Sequence, residues 1–332
     1  DLPGGCCFYS NAKLLYRAEQ PMKAIMVVDK QPVLVDAPEP NGDGVKIKVV
    51  SSSICGSDIH LMAQGALGNH IIGHEFAGIT PDGKAVAVEP IAGCGQCINC
   101  DSGLRLHCDA GLYLMGVRGD GGMAEYVNVP ARCLVELPTG LDISVACLVE
   151  PMAVAVHGLD RARVRENDRV LIVGAGPIGL AAGAVLRSRQ IKYDIAARHE
   201  HQKVAAESLG AGLAPRGEYD VVIDAVGTTQ SLRQATQHAK PMGRIGLLGA
   251  SWDGITIEMP FCSKELELIP SMGYRFDRPQ RSFDEAALIL LHDEAAAKAL
   301  VTHRYPLEGV EEAFAAAGNR AGGAIKVAFD IA

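Results

Sequence analysis

The sequence predicts an α/β chain in two parts, a β-rich front half followed by a parallel sheet with helices on both faces. Two observations carry this. From 22 to about 155, short apolar stretches such as 46–50 and 85–88 alternate with Gly, Pro, Asn and Asp clusters, the punctuation of short strands. From about 165, continuously apolar strands alternate with helical stretches, and strands apolar on both sides must be covered on both faces. In order, the pattern predicts a first strand from 22, a strand at 169–173, a helix at 177–189 and a strand at 192–197. A helix at 200–209 and strands at 220–224 and 244–248 follow, and the chain closes with a helix from 310 and a strand from 324. The 332 residues suit about two domains at roughly 150 each.

Composition narrows the function. Hydrophobic types at 48% and charged types at 21% describe an ordinary globular chain rather than a disordered one. A formal charge of −8 argues against a nucleic-acid or anionic-membrane partner. The longest uncharged run, 170–186, is shorter than the ~20 residues that span a bilayer, so no membrane span is expected. Ten cysteines stand at 6, 7, 55, 94, 97, 100, 108, 133, 147 and 262. With no basic-then-apolar leader in view, the reducing cytosol is the expected compartment, where clustered cysteines more often bind metal than pair. Residues 1–21 are polar and without period, and are expected to be an extension outside the fold.

Gly174-Ala-Gly176-Pro177-Ile178-Gly179 is G-x-G-x-x-G directly after a predicted strand and directly before a predicted helix. In that context the first Gly makes the turn, the second lets backbone approach a pyrophosphate, and the third lets helix pack on strand. The pyrophosphate meets free N–H groups and the positive end of the helix dipole. This points to a Rossmann-type dinucleotide site. The next strand ends in Ala197-Arg198, where a carboxylate would hold the ribose hydroxyls of NAD. Asp194 lies inside that strand rather than at its tip, and a small residue beside a guanidinium suits the 2′-phosphate of NADP, so NADP is expected over NAD. Val226-Gly227 and Leu248-Gly249 end two further strands and are expected to line the cofactor.

Cys94, Cys97, Cys100 and Cys108 form C-x2-C-x2-C-x7-C, a spacing that can close around one tetrahedral zinc and leaves no open position for chemistry. A second set is scattered: Cys55-Gly-Ser57-Asp58-Ile-His60, Gly73-His74-Glu75-Phe76 and Glu150-Pro151. It offers a thiolate, an imidazole and one or two carboxylates, enough for three protein ligands and an open position.

The order of these motifs, with Gly121-Gly-Met-Ala-Glu-Tyr126 between them and the Gly174 loop after them, resembles the zinc-containing medium-chain dehydrogenase/reductase superfamily. The resemblance is strongest to its sorbitol, threonine and sugar dehydrogenase branch, and it runs from about 22 to 330. It implies a GroES-like catalytic domain over 22–155 and 292–332, interrupted by a Rossmann domain over 156–291. It implies two zincs per chain, one structural on the four cysteines and one catalytic. Cys55 and His74 would hold the catalytic zinc with Glu75 and Glu150 as acidic partners, one direct and the other direct or through water. Asp58 would orient His74 from behind, and Ser57 and His60 would relay a proton. Cys133, Cys147 and Cys262 match no ligand position and are expected to serve packing. Short segments between His60 and Gly73 and around 78–86 depart from the pattern and predict a differently shaped substrate cleft. The implied activity is hydride transfer between NADP or NAD and a small secondary alcohol, polyol or sugar-like substrate, by a homodimer or homotetramer. Amino-alcohol oxidation and aldehyde reduction are alternatives within the class, and a redox-inactive nucleotide-binding protein is the alternative outside it.

Overall fold

The computed structural model describes residues 21–277 and 281–331. A hairpin opens the chain, with β1 (Pro21–Val28) antiparallel to β2 (Gln31–Pro38). Five strands then build a front sheet: β3 (Val45–Ser53), β4 (Glu75–Ile79), β5 (Ala85–Val88), β6 (Tyr126–Val129) and β7 (Leu134–Glu136). A separate sheet of five parallel strands follows: β8 (Val170–Val173), β9 (Tyr193–Ala196), β10 (Tyr219–Asp224), β11 (Ala239–Leu247) and β12 (Glu267–Pro270). The chain then returns. β13 (Val301–Tyr305) and β14 (Lys326–Asp330) join the front sheet through β3, giving the order β13-β14-β3-β4-β5-β7, with β6 on the first half of β3.

The ten helices are α1 (Gly56–Gln64), α2 (Ile98–Asp101), α3 (Val149–Arg161), α4 (Pro177–Ser188), α5 (Glu200–Ser208), α6 (Thr229–His238), α7 (Met259–Ser263), α8 (Ser282–His292), α9 (Glu294–Leu300) and α10 (Val310–Gly318) among the described residues. Each long predicted element is present, with ends shifted by a few residues. The exception is the strand expected at 244–248, which starts at Ala239 and carries an irregular register against β10. The first strand begins at Pro21 rather than Met22, and the rest of the expected extension, 1–20, lies outside the described residues.

The parallel sheet has the order β12-β11-β10-β8-β9. The chain leaves β8 toward β9 on one side and resumes at β10 on the other, so β8 and β10 flank a topological switch point. In such sheets the crevice outside the carboxyl ends at the switch is where ligands bind. All four residues of β8 are buried, which is why its sequence, Val-Leu-Ile-Val, shows no alternation.

One run, Ile143–Arg161, is long and apolar enough by length and composition to cross a membrane. It is a short 3₁₀ segment running into α3, and Met152, Ala153, Val156 and Leu159 on it are buried in the largest apolar core, together with residues of α4 and α8. Its hydropathy is that of a core helix.

A buried charge cluster ties the pieces together. Glu89, fully buried after β5, accepts from Arg281 Nε at 2.7 Å and from an Arg105 guanidinium nitrogen at 2.9 Å. Arg281 precedes α8, and Arg105 stands between Cys100 and Cys108. Removing one partner of such a set strands the others in a low-dielectric interior. Glu89→Ala is therefore expected to lower the unfolding free energy by about 3 kcal/mol, read by urea denaturation at unchanged m-value.

Candidate metal centres and cofactor site

Cys55 caps α1, and the cap itself organises the first site. The Cys55 backbone N–H donates to Asp58 Oδ2 at 2.9 Å, which turns the helix start and buries the Asp58 side chain completely. The other oxygen, Asp58 Oδ1, lies 3.2 Å from His74 Nδ1, off the line of a hydrogen bond. His74 Nε2 is 3.3 Å from Ser57 Oγ. His74 and Glu75 enter at the head of β4 from Gly73, whose φ of +96° and close approach to Met123 exclude a side chain there.

Ligand atoms of Cys55, His74 and Glu75 all lie within 4.8 Å of one another. Glu150, in the first turn of α3, is outside that set, although it feels the charges of Glu75 and His74. Burial, with Glu75 nearby, pushes the Glu150 carboxyl up to about 8. Burial alone would discharge the His74 ring, but the Asp58 and Cys55 side chains outweigh it and hold His74 well above the ordinary histidine range. A buried imidazole and a buried carboxyl, both displaced from their ordinary range and gathered beside the Cys55 sulfur, mark a functional centre.

The sequence reading missed Lys326. This lysine on β14 is 2% exposed, and its Nζ donates to both Glu75 oxygens, at 2.8 and 2.7 Å, and to the Ile54 carbonyl at 3.1 Å. Ser53 Oγ donates to Glu75 as well. Glu75 is thus held by a cation from the other end of the chain. The available signal was a lysine inside the otherwise apolar stretch Ala324-Ile-Lys-Val-Ala-Phe. His60 makes no hydrogen bond through Nε2, which is buried, and its ring stacks on Trp252. No hydrogen bond joins His60 to Ser57, so a proton passing between them needs a bridging hydroxyl or water.

The four other cysteines converge. Their sulfurs lie within 4.8 Å of one another, with Cys94 and Cys100 at 3.9 Å and Cys97 and Cys108 at 4.0 Å. A tetrahedron with Zn–S bonds of ~2.3 Å has edges of about 3.8 Å, so the donor set fits zinc. The N–H groups of Asp109 and Cys100 draw the Cys97 thiol down to about 6, and burial pushes Cys100 up to about 11. Of the three cysteines expected to pack, Cys133 and Cys147 are buried and each pushed up to about 11, chiefly by burial. Cys262 does not pack: it sits exposed on α7, a helix whose buried residue is Phe261.

At the switch point, the glycine loop has the shape its chemistry requires. A Cβ on Gly174 (φ +98°) would meet Val226 Cγ2 at 2.4 Å, and one on Gly179 would meet the Gly174 carbonyl at 1.9 Å. A Cβ on Gly176 would meet nothing within 4 Å, so that backbone faces open space at the N-terminus of α4, with Pro177 and Ile178 opening the helix. Asp224, fully buried at the end of β10, accepts from the N–H groups of Val226 at 2.9 Å and Gly227 at 3.0 Å and so sets the facing turn. Gly249, after Leu248, packs its backbone directly on Val226-Gly227. At the tip of β9, Ala197 is half-buried and Arg198 exposed, while mid-strand Asp194 accepts from the Tyr219 hydroxyl at 2.6 Å.

Comparisons with known proteins agree with this architecture. The family model "Alcohol dehydrogenase GroES-like domain" matches residues 41–139, and "Glucose dehydrogenase C-terminus" matches 143–331, more than half of the chain. The chain belongs to the zinc-type medium-chain dehydrogenase/reductase family. It is an NAD(P)-dependent oxidoreductase. An L-arabinitol 4-dehydrogenase from Aureobasidium melanogenum is 30% identical over 85% of this chain and 86% of its own. An L-galactonate-5-dehydrogenase from Escherichia coli K12 is 29% identical over 84% of this chain and 89% of its own. Among solved structures, an alcohol dehydrogenase from Escherichia coli CFT073 in complex with NADH superposes with a TM-score of 0.81 at 28% identity, covering 93% of this chain and 99% of the other.

Proposed function

We propose that this dehydrogenase oxidises a secondary hydroxyl of a polyol or sugar acid, with NADP as the favoured acceptor and two zincs per chain. The observation that carries the reading is the convergence of Cys55, His74 and Glu75 within 4.8 Å, on elements far apart in sequence. The relatives that act on arabinitol and galactonate support the substrate class. Cys55, His74 and Glu75 would hold the catalytic zinc, with Glu150 as the acidic alternate, and the four-cysteine lobe the structural one. When bound, such a zinc lowers the pKa of a coordinated hydroxyl by roughly nine units, about 12 kcal/mol at 1.36 kcal/mol each. The protein's own groups do the rest. Asp58, with Oδ1 3.2 Å from Nδ1, steadies the His74 ring and leaves Nε2 on the side of the metal. Ser57 Oγ would take the hydroxyl proton while giving its own to a bridging water, and that water would carry it to His60 and solvent. Cofactor would lie across Gly174, Gly176 and Gly179, with Val226-Gly227 and Leu248-Gly249 beneath the nicotinamide half and Arg198 at the adenosine ribose. A homodimer or homotetramer in the cytosol completes the reading.

The test is zinc analysis together with reduced-nicotinamide absorbance over a panel of polyols and sugar acids. Two zincs per chain and turnover are expected, and nucleotide binding without turnover across the panel removes the proposal. Ser57→Ala is expected to lower kcat by about 10²-fold with both zincs retained, since a positioned proton acceptor contributes on that order. For the cofactor, kcat/KM with NADP is expected to exceed that with NAD, and Arg198→Ala to narrow the ratio about tenfold by removing a charge-assisted phosphate contact. A wild-type preference for NAD above tenfold overturns the NADP reading.

A further inference from the structure

Trp252 is the chain's single tryptophan, and it lies in the loop that follows β11, beyond Leu248-Gly249. Its ring stacks on His60 with centroids 4.2 Å apart and planes 24° from parallel. His60 belongs to α1, next to the front sheet, whereas Trp252 belongs to the carboxyl edge of the parallel sheet. The indole remains 43% exposed, so this ring is no core anchor. His60 Nε2, in contrast, is buried without a hydrogen-bond partner. A buried imidazole nitrogen normally has its orientation set by a hydrogen bond. Here that restraint is missing, and the aromatic face pressed against the ring supplies an orienting contact in its place.

We propose that Trp252 is a positioning residue for the proton relay: from the cofactor half it stacks on His60 of the other half, fixes the imidazole, and makes relay competence depend on contact between the halves. The inference rests on His60 acting in the relay. It also explains an economy of the design, since the loop carrying Trp252 leaves the same strand end that carries Leu248-Gly249 at the cofactor crevice. Shifts of that loop reach His60 directly.

The test uses the zinc-loaded enzyme with a substrate from the panel. Trp252→Ala is expected to lower kcat about two- to tenfold, the factor an aromatic pair is worth, with KM for the cofactor within about twofold. Trp252→Phe, which can still stack, is expected to recover most of the loss. His60→Ala and the double variant are expected to be equally slow, because Trp252 acts only through His60. Wild-type kcat in Trp252→Ala beside a slow His60→Ala overturns the positioning role and leaves the relay standing. Wild-type kcat in His60→Ala removes the relay and the positioning role with it. Fully additive losses mean that Trp252 meets substrate or cofactor independently, which also overturns the proposal. Fluorescence gives a check that needs no turnover. All tryptophan emission comes from this one ring, so His60→Ala is expected to shift it to the red as the indole loses its cover, and unchanged emission overturns the stack.

Discussion

Replacing Cys55 with alanine is expected to cut kcat/KM at least about 10³-fold and to leave the protein folded. The reasoning joins two separable functions of one residue. The Cys55 backbone N–H donates to Asp58, and that half of the helix cap survives loss of the thiol. The sulfur is one of three ligand groups converging within 4.8 Å, and a set reduced to imidazole and carboxylate no longer closes around zinc. Metal removal forfeits several kcal/mol of charge stabilisation at 1.36 kcal/mol per tenfold, which sets the magnitude. Zinc content is expected to fall from two per chain to one, with far-UV circular dichroism unchanged. Near-normal turnover in a variant holding a single zinc would falsify the assignment of Cys55 to the catalytic site.

The effect is large because the site is assembled from distant segments, and that also decides what a reader of the sequence can find. The glycine loop, the four-cysteine lobe and the apolar strands are written in runs of a few residues, and each is where its local pattern puts it. Asp194 is likewise mid-strand, turned to Tyr219 rather than to the strand tip. The partnerships made by tertiary folding are not written locally. Lys326 meets Glu75 only because β14 returns to pair with β3 beside β4. Arg281 meets Glu89 across 192 residues of chain. His60 meets Trp252 only where α1 comes against the loop that follows β11. In each case the residue's type was visible and its partner was not, and the energetics lie in the pair. Cys262 shows the reverse error. A cysteine without a ligand motif defaults to packing, yet the short α7 turns it to solvent.

The second large effect, Cys97→Ser, is expected to run opposite to the first: stability falls and chemistry survives. Between Cys94 and Cys108 the chain buries little. Cys108 is 7% exposed and Leu106 packs against the main core, but Ile98 is 72% and Leu104 49% exposed, so apolar contact holds this lobe only at its base. Its order comes from four sulfurs at tetrahedral spacing and from the Arg105–Glu89 pair at its base. Structural zinc sites of this kind contribute directly to folding energy, with apparent binding of about 10–16 kcal/mol in small peptides. Only part of that transfers to global stability, because the lobe can open locally while the two sheets stay intact. A loss of roughly 4 kcal/mol, about 6 °C in Tm for a chain of this length, is the expected result, with kcat per folded molecule within about threefold of wild type. Protease should cut first within 94–108 in the variant, and chelator should add little further loss. If Cys97→Ser instead lost turnover at unchanged Tm, the lobe would be acting in the reaction and its sulfurs would not be merely a staple.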